Sequence, residues 1–90
     1  MTYEEARNQV LTAIGDNTPI LNDPAIARRL SDPRNDIVFS ELEFDSLTAM
    51  EFCLTIESNT GQIIEPGDLV AHPGINSLAR FLADRSRSAA

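Results

Sequence analysis

Three segments of this 90-residue chain carry apolar residues at the spacing of a helix, and glycine or proline stands beside each segment. Residues at i, i+3, i+4 and i+7 lie on one face of a helix, whereas a half-buried strand needs alternation of apolar and polar residues. The segments are residues 3–14, 46–59 and 75–82. The pattern predicts an all-α fold, a small antiparallel bundle of three main helices.

The connections between these segments are expected to hold shorter helices. Residues 16–45 are too many for a structureless connection in so small a domain. Asp23 and Pro24 are typical of an N-cap and a first helical residue, so this long first loop is expected to hold an extra short helix that ends before Pro33. Residues 66–71 allow a turn or one short helix. Four apolar residues are expected to pin the first loop to the bundle, namely Ile37, Val38, Phe39 and Leu42.

Size and charge restrict the class of protein. A chain of this length forms one domain at most, which we place at residues 1–85, with a flexible polar tail at 86–90. The formal net charge of −7 disfavours nucleic acid and anionic lipids as partners, and favours proteins with basic patches. A single cysteine excludes an internal disulfide framework, and no run approaches the ~18 apolar residues of a membrane span. These features predict a cytoplasmic protein without membrane insertion.

Ser46 begins the second main helix, directly after an aspartate in the N-cap position. A serine needs an adjacent base to act as a nucleophile, and the only histidine, His72, lies in a separate segment. The unpaired N–H groups and the positive end of the dipole at a helix start favour a phosphate on a first-turn serine. The hydroxyl is therefore expected to be modified by another enzyme. No second metal ligand stands at a fixed spacing from the histidine, so no metal site is predicted.

The run Asp45-Ser46-Leu47 resembles the Asp-Ser-Leu attachment motif of the acyl carrier protein family, and the similarity extends to residues 75–82. The resemblance implies that a phosphopantetheinyl transferase attaches 4'-phosphopantetheine from coenzyme A to Ser46, beside Asp45. The arm would carry acyl intermediates as thioesters between enzymes of fatty acid, polyketide or other secondary-metabolite synthesis. The protein itself would catalyse nothing. Glu43 stands where most members carry glycine.

The second main helix has two apolar stripes whose centres lie roughly 150° apart. One bundle core can cover only one stripe fully, and the stripe of Ala49, Phe52, Cys53 and Ile56 is the better core face. The other stripe is expected to be partly exposed to partners, unless the first loop folds over it. The predicted partner-recognition residues are Leu47, Met50, Glu51, Leu54, Glu57, Glu43 and Asp68. The expected partners of this monomer are the transferase and acyl-activating, acyltransferase or ketosynthase enzymes with basic docking patches.

Two other functions stay open at this point. An aminoacyl or peptidyl carrier more often has Gly-Gly-His-Ser or Gly-Gly-Asp-Ser around its serine, and this chain has Glu43 and Phe44 before Asp45. An unmodified helical interaction module would use the second apolar stripe to bind a partner helix or groove. A hydrolase based on Ser46 is disfavoured because the sequence offers no base.

Overall fold

Five α-helices follow one another in the computed structural model, which describes the backbone of residues 1–42 and 44–88 and the side chains of residues 1–42 and 44–86. They are α1 (Tyr3–Asn17), α2 (Pro24–Leu30), α3 (Ser46–Thr60), α4 (Pro66–Ala71) and α5 (Ile75–Ser88). Two 3-10 helices, Pro19–Asn22 and Phe39–Leu42, lie in the connection between α1 and α3. The prediction of an all-α fold with three main helices and short ones between them is confirmed.

Helix α1 begins with a capping box. Glu5 N donates to Thr2 Oγ1 at 3.1 Å, and the Glu5 carboxylate accepts from Thr2 N at 3.4 Å. The helix continues past Gly15, where the sequence pattern predicted its end. Asn17 stabilises this additional turn, because its Nδ2 donates to Ala13 O at 2.8 Å and to Thr55 Oγ1 on α3 at 3.0 Å. A glycine in the last turn costs about 1 kcal/mol, which such contacts can offset.

Helices α1 and α5 run antiparallel along one another. The Arg80 guanidinium lies over the Tyr3 ring at 5.2 Å from its centroid, and Arg7 Nε donates to Asn76 Oδ1 at 2.9 Å. A later residue of α1 therefore contacts an earlier residue of α5, which is the pattern of antiparallel helices. Just after α3, Gln62 Nε2 donates to the carbonyl of Leu82 at 3.1 Å, so α3 ends beside the C-terminal half of α5. The start of α3 lies near the start of α5, since Asp45 and Ser46 border the same cleft as Pro73.

The core lies between α1, α3 and α5, the three helices predicted from the apolar pattern. Each fully buried Leu, Ile, Val or Phe side chain contributes about 1.5–3 kcal/mol relative to exposure. The largest side chains without exposed surface are Phe52, Ile14, Ile37, Leu42, Ile56, Ile75, Leu78, Leu82 and Val10. Two of these, Ile37 and Leu42, come from the first loop, so the loop belongs to the core.

The short helix predicted in the first loop is confirmed as α2, with Asp23 Oδ1 accepting from Ala25 N at 2.9 Å. The loop is also buried against the bundle as predicted at Ile37 and Phe39, but the prediction was wrong for Val38, which is 38% exposed. Val38 forms an isolated antiparallel bridge with Gly74. Its neighbours point inward, and successive side chains of an extended segment point in opposite directions.

The last helix extends further than the sequence pattern indicated. Helix α5 includes Ser86–Ser88, where we placed the start of a tail, and residues 89–90 lie outside the described part of the chain. The flexibility of this tail and the domain limits of 1–85 stay predictions. Within the described residues, no helix is both long and apolar enough to cross a bilayer.

Candidate functional site

Ser46 is the first residue of α3, and its side chain is exposed. Asp45 precedes it as the N-cap, in extended backbone conformation with φ −81° and ψ 178°. Asp45 Oδ1 accepts from Thr48 N at 2.7 Å, which satisfies one of the free N–H groups of the first turn. The predicted cap is therefore confirmed, and it holds the Ser46 hydroxyl at the surface, within reach of a modifying enzyme.

The charge beside this serine is negative at neutral pH. The backbone N–H of Thr48 donates to Asp45 and holds the pKa of that carboxyl below its ordinary value. Among the described residues, none forms a hydrogen bond with the Ser46 hydroxyl. His72 stacks on Phe81 with ring centroids 4.2 Å apart and does not line the cleft beside Ser46. Within the part of the chain that the structure describes, the site thus presents an exposed hydroxyl with no hydrogen-bonded base beside it.

A mostly apolar cleft of about 550 Å³ lies next to the serine. It opens between the start of α3, the second 3-10 helix and α4. Its lining residues are Ser46, Asp45, Ala49, Met50, Phe39, Ser40, Phe44, Pro66, Leu69, Val70 and Pro73. A tethered group on Ser46 could therefore pass from the hydroxyl directly to apolar surface without crossing the core.

Three phenylalanine rings connect this cleft to the core. Phe39, Phe44 and Phe52 lie with every pair of ring centroids 5.4 to 5.5 Å apart and with tilted planes, a favourable geometry for aromatic side chains. Phe52 is completely buried, whereas Phe39 and Phe44 also line the cleft. Sequence reasoning did not assign Phe44 a role. The one sequence signal for such a role is that Phe44 is an aromatic residue two positions before Ser46 and lies outside any predicted helix.

The two apolar stripes of α3 meet different surroundings, as predicted. Phe52 and Ile56 have no exposed surface, and Cys53 is 5% exposed. On the other stripe Leu47 is 64% and Leu54 is 61% exposed, and Met50 is 54% exposed. The first loop therefore does not fold over the second stripe, so the alternative that it covers these residues is wrong.

The other predicted partner-recognition residues lie in three different situations. Glu51 and Glu57 are exposed on α3, where a partner can reach them. Asp68 is half-buried and caps α4, because its Oδ2 accepts from Glu65 N at 2.9 Å. Glu43 lies outside the described residues. Partner contact by any of them stays a prediction.

Val70 on α4 was missed by the sequence reasoning. It is 81% exposed and lines the cleft with Met50 of α3. Residues 66–71 are too few to show a helical period, so their sequence did not indicate which face of the short helix is exposed to solvent. The exposed apolar surface thus extends from α3 to α4.

The residues at this site fit a covalently attached phosphodiester arm. Ser46 offers an exposed hydroxyl at a helix N-terminus, and the neighbouring cleft can take an apolar group. The chain's own thiol cannot replace the thiol of such an arm, because burial raises the pKa of Cys53 to about 11, with Asp68 and Glu65 adding to the effect. Reactive sulfur at this site must come from the attached group.

Comparison with known proteins agrees with this geometry. Residues 9–82 match the family model described as the phosphopantetheine attachment site. Comparisons with curated proteins and with solved structures returned no match. The matched residues include the start of α3 and most of the core. The chain therefore belongs to the phosphopantetheine attachment site family and is a carrier protein of the acyl carrier protein type, whose domain is the site of covalent 4'-phosphopantetheine attachment.

Proposed function

We propose that Ser46 bears the 4'-phosphopantetheine and that the chain is an acyl carrier protein. The observation that carries this proposal is the exposed Ser46 hydroxyl at the start of α3, between the Asp45 cap and an apolar cleft. A carrier of this family works with a phosphopantetheinyl transferase and with biosynthetic enzymes. The protein would hold and present the acyl group, and the chemistry would belong to the enzymes that it visits.

Attachment would be a phosphoryl transfer to Ser46. The Ser46 Oγ–H bond breaks, the proton passes to the transferase, and Oγ bonds to the coenzyme A phosphorus that carries the pantetheine. The bond from this phosphorus to the adenosine portion breaks, and 3',5'-adenosine bisphosphate leaves. When bound, the group supplies a thiol that holds an acyl chain as a thioester. Asp45 keeps the first turn of α3 capped, so that the hydroxyl stays at a fixed position for the transferase.

The lining of the cleft favours an acyl cargo over an aminoacyl one. Met50, Phe44, Leu69 and Val70 offer apolar surface, and burying a charged amino group there without a partner would be costly. The pathway could be fatty acid, polyketide or other secondary-metabolite synthesis. A monomeric, cytoplasmic carrier that catalyses nothing itself is part of the same proposal.

The partners would dock on the exposed stripe of α3 and on Val70 of α4. Leu47, Met50 and Leu54 would contact apolar patches of the partner. Glu51 and Glu57 would attract basic side chains at its rim, over a range that salt shortens. Such docking places the end of the arm at the partner's active site, because the stripe begins one residue after Ser46.

The direct test is to incubate the protein with coenzyme A, magnesium and a promiscuous phosphopantetheinyl transferase, and to measure the intact mass. The wild type should gain one phosphopantetheine, Ser46→Ala should gain none, and Ser40→Ala should gain one. Ser40 is the matched control because its exposed hydroxyl lines the same cleft. A wild type without the gain, or a gain by Ser46→Ala, would defeat the proposal.

A second function is favoured by the size of the exposed apolar surface alone. An unmodified interaction module would bind its partner through Leu47, Met50 and Leu54 whether or not Ser46 is modified. Titrating one candidate enzyme with the unmodified and the modified protein separates the two functions. Equal affinity and no turnover with the modified form would favour the interaction module.

A further inference from the structure

The end of the first loop lies against the residues that precede and begin α5. Phe39 N donates to Pro73 O at 2.8 Å, and Ile75 N donates to Ile37 O at 3.0 Å. These two bonds run in opposite directions between the same two short segments. Residues 37–39 are therefore fixed to residues 73–75 by the backbone, independently of side-chain packing.

Asn76 makes the side-chain part of this contact. Its backbone N–H donates to Asp36 Oδ1 at 2.9 Å, and its Nδ2 donates to the carbonyls of Pro33 and Asn35 at 3.2 Å each. Its Oδ1 accepts from Arg7 Nε at 2.9 Å. One amide side chain thus joins α1, the first loop and α5, at residues 40 or more positions apart in sequence.

Arg7 makes this network sensitive to change. Its side chain is only 8% exposed, and its Nη2 has no hydrogen-bond partner among the described residues. A buried guanidinium is costly unless its N–H groups are bonded. Loss of the Asn76 carbonyl would leave this charge with still fewer bonds, so the contact with Asn76 cannot be replaced without rearrangement.

Gly74 explains how Asp36 reaches the start of α5. An ideal Cβ at Gly74 would overlap the Asp36 carboxylate, whereas a Cβ at Gly67 on α4 would meet open space. Neither glycine has a positive φ, so alanine suits the backbone at both positions. Alanine at Gly74 should therefore disturb the contact with Asp36, and alanine at Gly67 is the matched control that disturbs no contact.

The same segments form one wall of the cleft beside Ser46. Phe39 and Pro73, which share a backbone hydrogen bond, both line it. The Phe39 ring in turn contacts the rings of Phe44 and Phe52 at 5.5 Å. A shift of residues 37–39 would therefore move the aromatic wall of the cleft, while Ser46 and its Asp45 cap are held separately by α3.

We propose that Asp36 and Asn76 are positioning residues. Together with Arg7, Gly74 and the two backbone bonds they form a loop anchor, which holds the Phe39 wall in place and so sets the space that an acyl chain on Ser46 can enter. This inference rests on the proposed function, because it concerns the cargo of the same site. Arg7, Asp36, Gly74 and Asn76 do not line the cleft beside Ser46, whereas Phe39 does, so the loop anchor should affect accommodation of cargo and not attachment of the arm.

The experiment compares Gly74→Ala with Gly67→Ala in the modified protein, with and without an octanoyl group on the arm. Backbone amide exchange and the aromatic NMR signals of Phe39 and Phe44 are measured. In Gly74→Ala the amides of Phe39 and Ile75 should exchange about tenfold faster or more, since their bonds open locally. The shift of the aromatic signals on octanoyl loading should also differ from wild type. Gly67→Ala should match the wild type in both readouts.

Asp36 variants test the cause. If Gly74→Ala acts by displacing the Asp36 carboxylate, then Asp36→Ala should give the same change, and Gly74→Ala combined with Asp36→Ala should add nothing to it. Asp16→Ala, at an exposed aspartate of α1, is the control for the loss of a carboxylate. Should Gly74→Ala fail to fold, Asp36→Ala against Asp16→Ala decides the question.

General destabilisation must also be separated from positioning. Thr12→Gly weakens α1 at an exposed position away from the loop anchor, and should leave the octanoyl response unchanged. A wild-type octanoyl response in both Gly74→Ala and Asp36→Ala would overturn the loop anchor. A wild type that gains no arm at all would instead overturn the proposed function, so the two failures are distinguishable.

Discussion

The two faces of α3 carry similar residues and end in opposite surroundings. Phe52 and Ile56 on one face have no exposed surface, whereas Leu47 and Leu54 on the other are 64% and 61% exposed. Both faces are apolar, so hydrophobicity alone does not decide which is buried. The difference follows from the neighbours, since α1 packs against the first face and no described helix covers Leu47 or Leu54. A domain of this size has too few residues to bury both faces of α3.

A carrier with two such faces can be stable and still offer apolar surface. The first face contributes to folding, and the second is left exposed to solvent. Exposed apolar patches on small proteins often mark interaction sites.

The largest expected effect concerns the two thiols of the modified protein. Because the pKa of Cys53 is raised to about 11, only about one in a thousand of these thiols is ionised at pH 8, and burial also blocks the reagent. Alkylation of the native modified protein should label one thiol, on the arm, and Ser46→Ala should remain unlabelled. Rapid labelling of Ser46→Ala would show that Cys53, and with it the first face of α3, is accessible to the reagent. Denatured protein, in which Cys53 must react, is the control.

Truncation on the two faces should affect stability very differently. Phe52→Ala should lower the free energy of unfolding by about 3–5 kcal/mol, because it removes a ring from the core and from the aromatic cluster. Leu54→Ala should change it by no more than about 0.5 kcal/mol. Urea denaturation followed by circular dichroism measures both. Similar losses for the two variants would contradict the assignment of the faces.

The second face should matter for partners. Leu54→Gln should raise the KM of the transferase by about tenfold, or about 1.4 kcal/mol, through lost apolar contact. Ile63→Gln is the matched control, because Ile63 is 62% exposed but lies outside α3 and off the exposed stripe. Its KM should stay near that of the wild type. Equal effects of the two variants would show that the stripe is not the docking surface.

The smallest expected effect concerns the cap at the start of both faces. The folded-state pKa of Asp45 is lowered by the N–H of Thr48, so the ionised cap stabilises the fold at neutral pH. This contribution is fully present above the ordinary aspartate pKa and is lost as the pH falls through the lower folded-state value. Asp45→Asn keeps an N-cap without a charge. Its stability should fall less than that of the wild type on acidification, measured by thermal unfolding between neutral pH and pH 3.

Local signals made part of the site predictable. Asp45 caps the helix by accepting from Thr48 N, only three residues further on, so the sequence was sufficient for the start of α3. The capping box at Thr2 and the left-handed C-cap at Gly61, with φ 76°, likewise depend on residues close in sequence. The family resemblance then pointed to Ser46 as the modified residue, which stays a prediction until the arm is observed there.

Contacts between distant residues were not predictable. The contact of Asp36 with residues 74 and 76, and the position of Phe44 against Phe39 and Phe52, depend on how the first loop crosses the bundle. The residues around Asp36 and around Phe44 show no hydrophobic periodicity that would indicate which way their side chains point. The continuation of α1 past Gly15 was missed because Asn17 obtains part of its stabilisation from Thr55 on α3.

The sequence by itself determined the three main helical segments, the cap at the start of α3 and the family, because hydrophobic period, capping and the Asp-Ser-Leu motif are all local properties. The tertiary structure alone decided that Val70 and Phe44 border the serine, that Val38 faces solvent, and that Arg7 reaches Asn76. Those features require segments far apart in sequence to meet. Their meeting depends on the packing of the whole chain, in which each segment's position is fixed by the others.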